Sequence, residues 1–324
     1  MDKFSPCGLI GLGPMAGPGD SGFRRICREN GADYTVSEMI SAKAIRFGAS
    51  KTLSLAKHTD AECPFLVQLF GREPESIEYA ASYISENVNP AGIDINMGCP
   101  APKIFNNGEG SALLREPSLA YELVKSAVKS TSLPISVKMR IGIDSFTNDI
   151  IDFAKRIQDA GASFLTIHGR TREQFYSGTV NYDSIRRIKE AVSIPVVANG
   201  DISDGPSAMK ALEITGADGI MIARGALGSP DVFGRIKCFY MTGEESLLDL
   251  EERFRLCLAQ LRYTIEDKGE EKGCIEFRKH MLWYLKGVSG AGMYKVMAGQ
   301  MSSYRDCESL ICRVIEDQKN RPFY

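Results

Sequence analysis

The 324 residues, 44% hydrophobic and 25% charged, have an ordinary soluble composition, with room for one large α/β domain or two smaller ones. A formal net charge of −2 gives no global basic field, so a nucleic-acid partner would need a local basic face. Nine cysteines without a CxxC pair exclude the common zinc and iron–sulfur spacings; no run has signal-peptide form or membrane-spanning length, so a cytoplasmic protein is expected.

Eight short β-rich apolar runs follow in chain order, at 7–15, 33–39, 64–70, 92–98, 134–140, 163–169, 195–200 and 218–225. Several are continuously apolar, the pattern of parallel strands covered on both faces. Helical patterns lie between them at 78–88, 118–130, 150–161 and 207–216, the last two ending in glycine. Eight strands with intervening helices over 1–240 are the count of a closed (β/α)8 TIM barrel, an α/β fold. An open doubly wound sheet is the rival, but GLGPMAGPGD (11–20) does not match the GxGxxG fingerprint expected after its first strand. Beyond residue 240 the strand signals end. Helices are expected at 244–265, 274–287 and 302–318, with GVSGAGMYK (287–295) as a turn. Residues 241–324 therefore read as a small all-helical domain appended to the barrel.

A barrel of this kind places its chemistry at the C-terminal ends of the strands. Those ends supply Pro14 and Met15, Glu38, Gln68, Asn96 with Cys99, Lys138 with Arg140, His168, Asn199 and Arg224. So many polar side chains in one mouth exceed what a purely structural barrel needs. The glycine-rich turns NGDISDG (199–205) and ARGALGSP (223–230) each precede a helix and offer backbone N–H groups, a phosphate cradle in the usual barrel position. Glycine alone would also permit tight turns with no ligand. The phosphate could belong to a sugar phosphate, a nucleotide or flavin mononucleotide (FMN). For a flavin, Gln68 can bond the pyrimidine edge and Lys138 can sit near N1/C2=O, where charge accumulates on reduction. Taken singly, they could be a satisfied buried amide and a surface lysine.

His168 closes FLTIH beside Arg170 and Arg172, with no metal-ligand spacing around it. The run HGRTREQFYSG (168–178) joins arginines to aromatics, which suits phosphate contact and base stacking, or an ordinary solvated loop. In DINMGCPAPK (94–103), Cys99 sits between glycine and proline, where a small buried hydrophobe is the plainest reading.

These stretches resemble a known family. PMAGPGD (14–20), VQLFG (67–71), DINMGCPAPK, NGEGSALL (107–114), VKMRIG (137–142), TIHGRTREQFYSG (166–178) and NGDI (199–202) are similar to the successive motifs of bacterial tRNA-dihydrouridine synthases, nearest to the B-type branch. RKHMLWYLKG (278–287) resembles their helical RNA-binding domain.

The resemblance implies FMN-dependent reduction of the uridine C5=C6 bond in tRNA, driven by NADPH (or NADH), with no Rossmann domain. It implies that Pro14, Met15 and Ala16 line the flavin by backbone contacts. Gln68 then meets the ring edge and Lys138 the N1/C2=O side, while His168, Asn199, Gly200, Asp201, Ala223 and Arg224 surround the ribityl chain and phosphate. Ala223–Arg224 departs from the family's frequent glycine–arginine, but alanine keeps the backbone N–H. Cys99 becomes the proton donor, which needs a protonated thiol before turnover. Asn96 and Arg140 contact the target uracil, with Arg170 and Arg172 as further substrate contacts, and the uridine must leave its stack. In 241–324, Lys272, Arg278, Lys279, Lys286 and Lys295 would meet RNA while Trp283 packs the helical core. No metal and no obligate protein partner are expected, and Lys103 stays unassigned. Two rivals remain open: a flavin-dependent reductase of free pyrimidines or small enones, and a low-turnover RNA-binding flavoprotein.

Overall fold

The computed structural model describes residues 4–320. Its strands are β1 (Ile10–Leu12), β2 (Tyr34–Val36), β3 (Ile40–Ser41), β4 (Phe65–Phe70), β5 (Gly92–Met97), β6 (Ile135–Arg140), β7 (Phe164–His168), β8 (Val196–Asn199) and β9 (Gly219–Ile222). Each of the eight predicted runs contains one of them. The two-residue β3 was not predicted; it pairs only with the end of β4, at Ile40–Leu69 and Ser41–Phe70. All pairings are parallel, and the sheet closes where β2 meets β4 through Thr35–Phe65 and Val36–Leu66. The ring of eight thus runs β1, β2, β4, β5, β6, β7, β8, β9 and back to β1.

Closure buries both faces of these strands, which is why they read as apolar runs. Gly11 shows how the interior fills: the Tyr34 ring occupies the space a Cβ there would need, 2.1 Å from Tyr34 Cζ. The helices Pro74–Asn87, Pro117–Ser130, Asn148–Asp159, Tyr182–Ala191, Gly205–Thr215 and Val232–Thr242 clothe the outside. The Gly205–Thr215 helix shows the local logic. The Asp204 side chain accepts from the Ser207 N–H at its start, and Gly216 ends it at φ 60°.

After Gly243 come four helices, Leu250–Lys268, Glu270–Tyr284, Ala291–Ala298 and Tyr304–Lys319. They enclose a second core that includes Phe254, Leu261, Phe277, Met281, Tyr284, Tyr294 and Leu310. Two expectations need correction here. The first helix starts at Leu250 rather than 244, because Asp249 and Glu252 close a reciprocal capping box at that point. The stretch predicted as a turn at 287–295 turns only as far as Gly290 and is helical from Ala291. Gly287 (φ 82°) and Gly290 (φ 74°) complete the reversal, after which Tyr294 and Ala298, four apart, are buried on one helical face.

The helical unit lies against the helix Ser21–Glu29 of the barrel. Gly22 permits the approach, since a Cβ there would stand 2.4 Å from Thr264 Oγ1. Ion pairs Arg25–Glu266 (2.8 Å) and Lys268–Asp20 (2.6 Å) bridge the contact. Lys279 Nζ donates to the Gly17 carbonyl at 2.6 Å. Among the described residues no helix is long and apolar enough to cross a membrane, and no cluster of His, Cys, Asp and Glu could hold a metal ion.

Candidate active site at the strand ends

A cavity of about 720 Å³ opens at the C-terminal ends of the strands. Lining it are Pro14, Met15 and Ala16 after β1, Gln68 on β4, Asn96 on β5 with Cys99 just beyond, Lys138 and Arg140 on β6, and His168 on β7. Asn199, Gly200 and Asp201 follow from β8, and Ala223 and Arg224 from the end of β9. These are fourteen of the seventeen residues that the sequence places at the barrel mouth. Glu38 does not line the cavity; its carboxylate accepts the Gly17 N–H at 2.5 Å and steadies the 14–20 loop.

Cys99 is held through a chain of buried polar groups. Asn96 Oδ1 accepts from the N–H groups of Gly98 (3.1 Å) and Cys99 (3.0 Å). Asn96 Nδ2 donates to Gln68 Oε1 (2.8 Å), and Gln68 Nε2 donates to Asp94 Oδ2 (2.7 Å). Ser136 Oγ donates to the other Asp94 oxygen at 2.7 Å. The Cys99 carbonyl accepts from Ser111 Oγ (2.8 Å). Burial raises the Cys99 thiol pKa above its ordinary value, against Arg140 and Lys138, so the thiol is protonated at neutral pH.

Lys138 Nζ donates to Asn199 Oδ1 at 3.0 Å, and Asn199 Nδ2 donates to the Met221 carbonyl at 2.8 Å. Burial and the neighbouring Arg140 lower the Lys138 pKa to about 8, against Asp94 and Cys99, so it is a cation at pH 7 but a marginal one. His168 is pushed far below the usual imidazole range by burial and by Lys138, Arg140, Arg170 and Arg224. Its ring is therefore neutral, one nitrogen a donor and the other an acceptor. Arg140 spends Nε on the Gly98 carbonyl (2.9 Å) and Nη1 on the Thr171 carbonyl (2.7 Å), which fixes its guanidinium at the cavity wall.

The backbone N–H groups of Gly200, Asp201, Ala223 and Gly225 make no hydrogen bond among the described residues. Gly200 has φ 121°, and a Cβ there would lie 2.9 Å from His168 Cδ2. In the ring of strands β8 stands opposite β4 and β9 opposite β5, so these amides lie across the mouth from the strand ends that carry Gln68 and Cys99.

Arg170 and Arg172 do not line the cavity. Arg170 is buried; it forms a double hydrogen bond to Asp201 (2.8 and 2.7 Å) and donates to the Ser177 and Gly178 carbonyls. With its guanidinium so committed, it shapes the 169–181 loop rather than offering donors to a ligand. Arg172 lies over the Phe105 ring, 4.1 Å from its centroid.

What that loop brings instead is Phe175 and Tyr176, both exposed, both at the cavity mouth and 5.0 Å apart edge to face. The Arg224 guanidinium caps the Tyr176 ring at 4.3 Å. Phe175 has φ 53° and Asp201 φ 51°, two of the three non-glycine residues with left-handed backbone among those described. Sequence reading also passed over Asp94, although it shares a face of β5 with Asn96, two residues on. Period-two alternation would have found it.

A closed parallel barrel with its polar side chains gathered at the strand ends defines the class, a TIM-barrel enzyme. A family model described as dihydrouridine synthase (Dus) matches residues 11–317. The probable tRNA-dihydrouridine synthase 1 of Synechocystis sp. is 38% identical over 310 residues, spanning 94% of this chain and 86% of that protein. The tRNA-dihydrouridine synthase B of Pseudomonas aeruginosa is 37% identical over 311 residues, 95% of this chain and 93% of its own. A solved 2-naphthoyl-CoA reductase complex shares the fold at TM-score 0.55 and 12% identity, over 71% of this chain and 50% of that one. The chain belongs to the dihydrouridine synthase family, and so is an oxidoreductase.

Proposed function

We infer that the protein is an FMN-dependent tRNA-dihydrouridine synthase that draws on NADPH (or NADH) to reduce the C5=C6 bond of uridine in tRNA. The observation that carries the reading is the position of Cys99: a protonated thiol at the cavity wall, across the barrel mouth from backbone N–H groups that have no partner among the described residues. The cavity suits FMN in volume and in polarity. The amides of Gly200, Asp201, Ala223 and Gly225, with Arg224, would hold the phosphate. Gln68 would meet the ring edge and Lys138 the N1/C2=O side, with Pro14, Met15 and Ala16 along the ring and His168 and Asn199 beside the ribityl chain.

A bound, reduced flavin would supply hydride for C6 of the uridine, which leaves negative charge toward C5 and O4. Cys99 Sγ would give its proton to C5, and the thiolate would regain one from solvent. Raising the thiol pKa by burial keeps the proton in place until the hydride arrives. Arg140, anchored to two carbonyls, and Asn96 would hold uracil oxygens in place. Phe175 and Tyr176 would stack with neighbouring bases once the uridine is flipped out. On this reading residues 1–240 carry the chemistry and 241–324 hold the tRNA in the cytoplasm. Lys272, Lys286 and Lys295 are exposed and suit phosphate contact. Arg278 and Lys279 instead donate to the Met301 and Gly17 carbonyls.

The test is a reaction of the purified protein with FMN, NADPH and unmodified tRNA, followed by mass spectrometry of the RNA fragments. Reduced uridine in tRNA with little turnover of free uridine supports the reading. Equal or faster turnover of the free nucleoside would transfer the assignment to a small-molecule reductase.

A further inference from the structure

Beneath the cavity lies a carboxylate with no role in the chemistry above. Asp94 is 4% exposed, and both of its oxygens are engaged, one by Ser136 and one by Gln68. We propose that Asp94 is a positioning residue: it fixes which way the Gln68 and Asn96 side chains point and makes that wall of the cavity a donor face for ligand carbonyl oxygens. The inference rests on the flavin and uridine reading above.

A carboxamide can turn end for end with almost no change of shape, exchanging donor for acceptor. The direction of a chain of two amides is therefore set at its ends. At one end the N–H groups of Gly98 and Cys99 can only donate, so the atom of Asn96 facing them is Oδ1. At the other, an ionised carboxylate can only accept, so the atom of Gln68 facing Asp94 is Nε2. Between them Asn96 Nδ2 meets Gln68 Oε1, the one arrangement in which every contact joins a donor to an acceptor. Each NH2 group has two hydrogens: Asn96 Nδ2 spends its second toward Met39 Sδ (3.8 Å), whereas Gln68 Nε2 makes no second hydrogen bond among the described residues. Gln68 lines the cavity, so that second hydrogen is what a ligand meets. Flavin and uracil both carry carbonyl oxygens on their pyrimidine edges, and these suit such a donor. A reversed Gln68 would set oxygen against oxygen. Burial raises the Asp94 pKa above the ordinary carboxylate value, with the hydrogen bonds from Ser136 and Gln68 and the Lys138 charge opposing it.

Asp94→Asn keeps the shape but removes the acceptor-only end, so Gln68 is free to turn. FMN affinity is expected to fall about tenfold, the worth of one misaligned hydrogen bond, with a shifted visible absorption band of the bound flavin. The deciding comparison adds Gln68→Ala. If Asp94 acts through Gln68, Asp94→Asn costs nothing further in that background; a general structural role would make the two losses add. Additive losses, or an Asp94→Asn protein with wild-type affinity and spectrum, would overturn the proposal.

Should Asp94→Asn not fold, a crystal structure of the wild-type protein with FMN decides. Gln68 within hydrogen-bond distance of a flavin carbonyl oxygen supports the proposal, and Gln68 against a flavin N–H overturns it. Wild-type protein that binds no FMN would instead sink the flavin reading, and this inference with it.

Discussion

The barrel mouth and the helical unit each bury a histidine, and the two rings meet different surroundings. His168 ends β7 with open cavity before it, and its side chain makes no hydrogen bond among the described residues. His280, on the helix Glu270–Tyr284, packs against Phe23, Phe277 and Trp283 with ring centroids 5.2, 5.5 and 5.2 Å away. Burial lowers the His280 pKa to about 4 although Asp20 opposes it, and burial is also the largest cause at His168. A lowered pKa therefore does not by itself mark chemistry; volume with converging polar groups does. The cations differ in the same way. Lys138 faces the cavity, whereas Lys268 and Lys279 are spent on Asp20 and Gly17 of the loop that lines it.

The largest expected effect in the barrel mouth is that of Cys99→Ala. Dihydrouridine formation in tRNA should fall by at least roughly a hundredfold, the scale of a lost general acid, while FMN stays bound and NADPH is still consumed. Full retention of RNA reduction would remove the thiol from the chemistry.

Lys138→Met comes next, with FMN retention or flavin reduction by NADPH reduced by about tenfold. In the wild type the ammonium is fully present below pH 7 and is lost as pH rises through about 8, so flavin reduction should slow across that range. A rate flat from pH 7 to 9, measured by stopped flow, would contradict a part for this cation.

Arg170→Met tests the placement of an arginine outside the cavity. It leaves the Ser177 and Gly178 carbonyls without their donor, at a cost of about 1–3 kcal/mol in urea unfolding. A rise in KM for tRNA with unchanged stability would restore Arg170 to the substrate contacts.

The smallest effect on activity belongs to His280→Phe, and its signature is in stability. The unfolded chain takes up a proton near pH 6.5 that the native ring refuses until about pH 4, so native stability falls as pH drops through that window. The span corresponds to about 3 kcal/mol, and Phe should abolish this contribution while leaving the flavin half-reaction unchanged. An identical acid slope in the variant would show that other groups carry it.

The strands were legible because parallel strands covered on both faces become continuous apolar runs, and the site was legible because this barrel gathers chemistry at known ends of those runs. Reading only the last polar residue of each strand missed Asp94, which acts one step below the surface of the mouth. The direction of a loop side chain has no sequence period, so nothing in the run told that Arg170 turns inward to Asp201 and that Arg172 lies on Phe105. The aromatics of HGRTREQFYSG were read as stacking groups, but not the left-handed backbone of Phe175 at φ 53°, a conformation its residue type disfavours. The helix Ala291–Ala298 was hidden by the glycines at 287 and 290, whose turn signal is real but ends sooner than the stretch suggested.

The division of labour between the two regions is tested most directly by reversing the exposed charges of the helical unit together, Lys272→Glu, Lys286→Glu and Lys295→Glu. FMN reduction by NADPH and KM for tRNA are measured on the same preparation at one salt concentration. The expected result is an unchanged flavin half-reaction with KM for tRNA raised more than about tenfold. An unchanged KM, or a flavin half-reaction that slows with it, would contradict the separation of a chemical barrel from an RNA-holding helical unit.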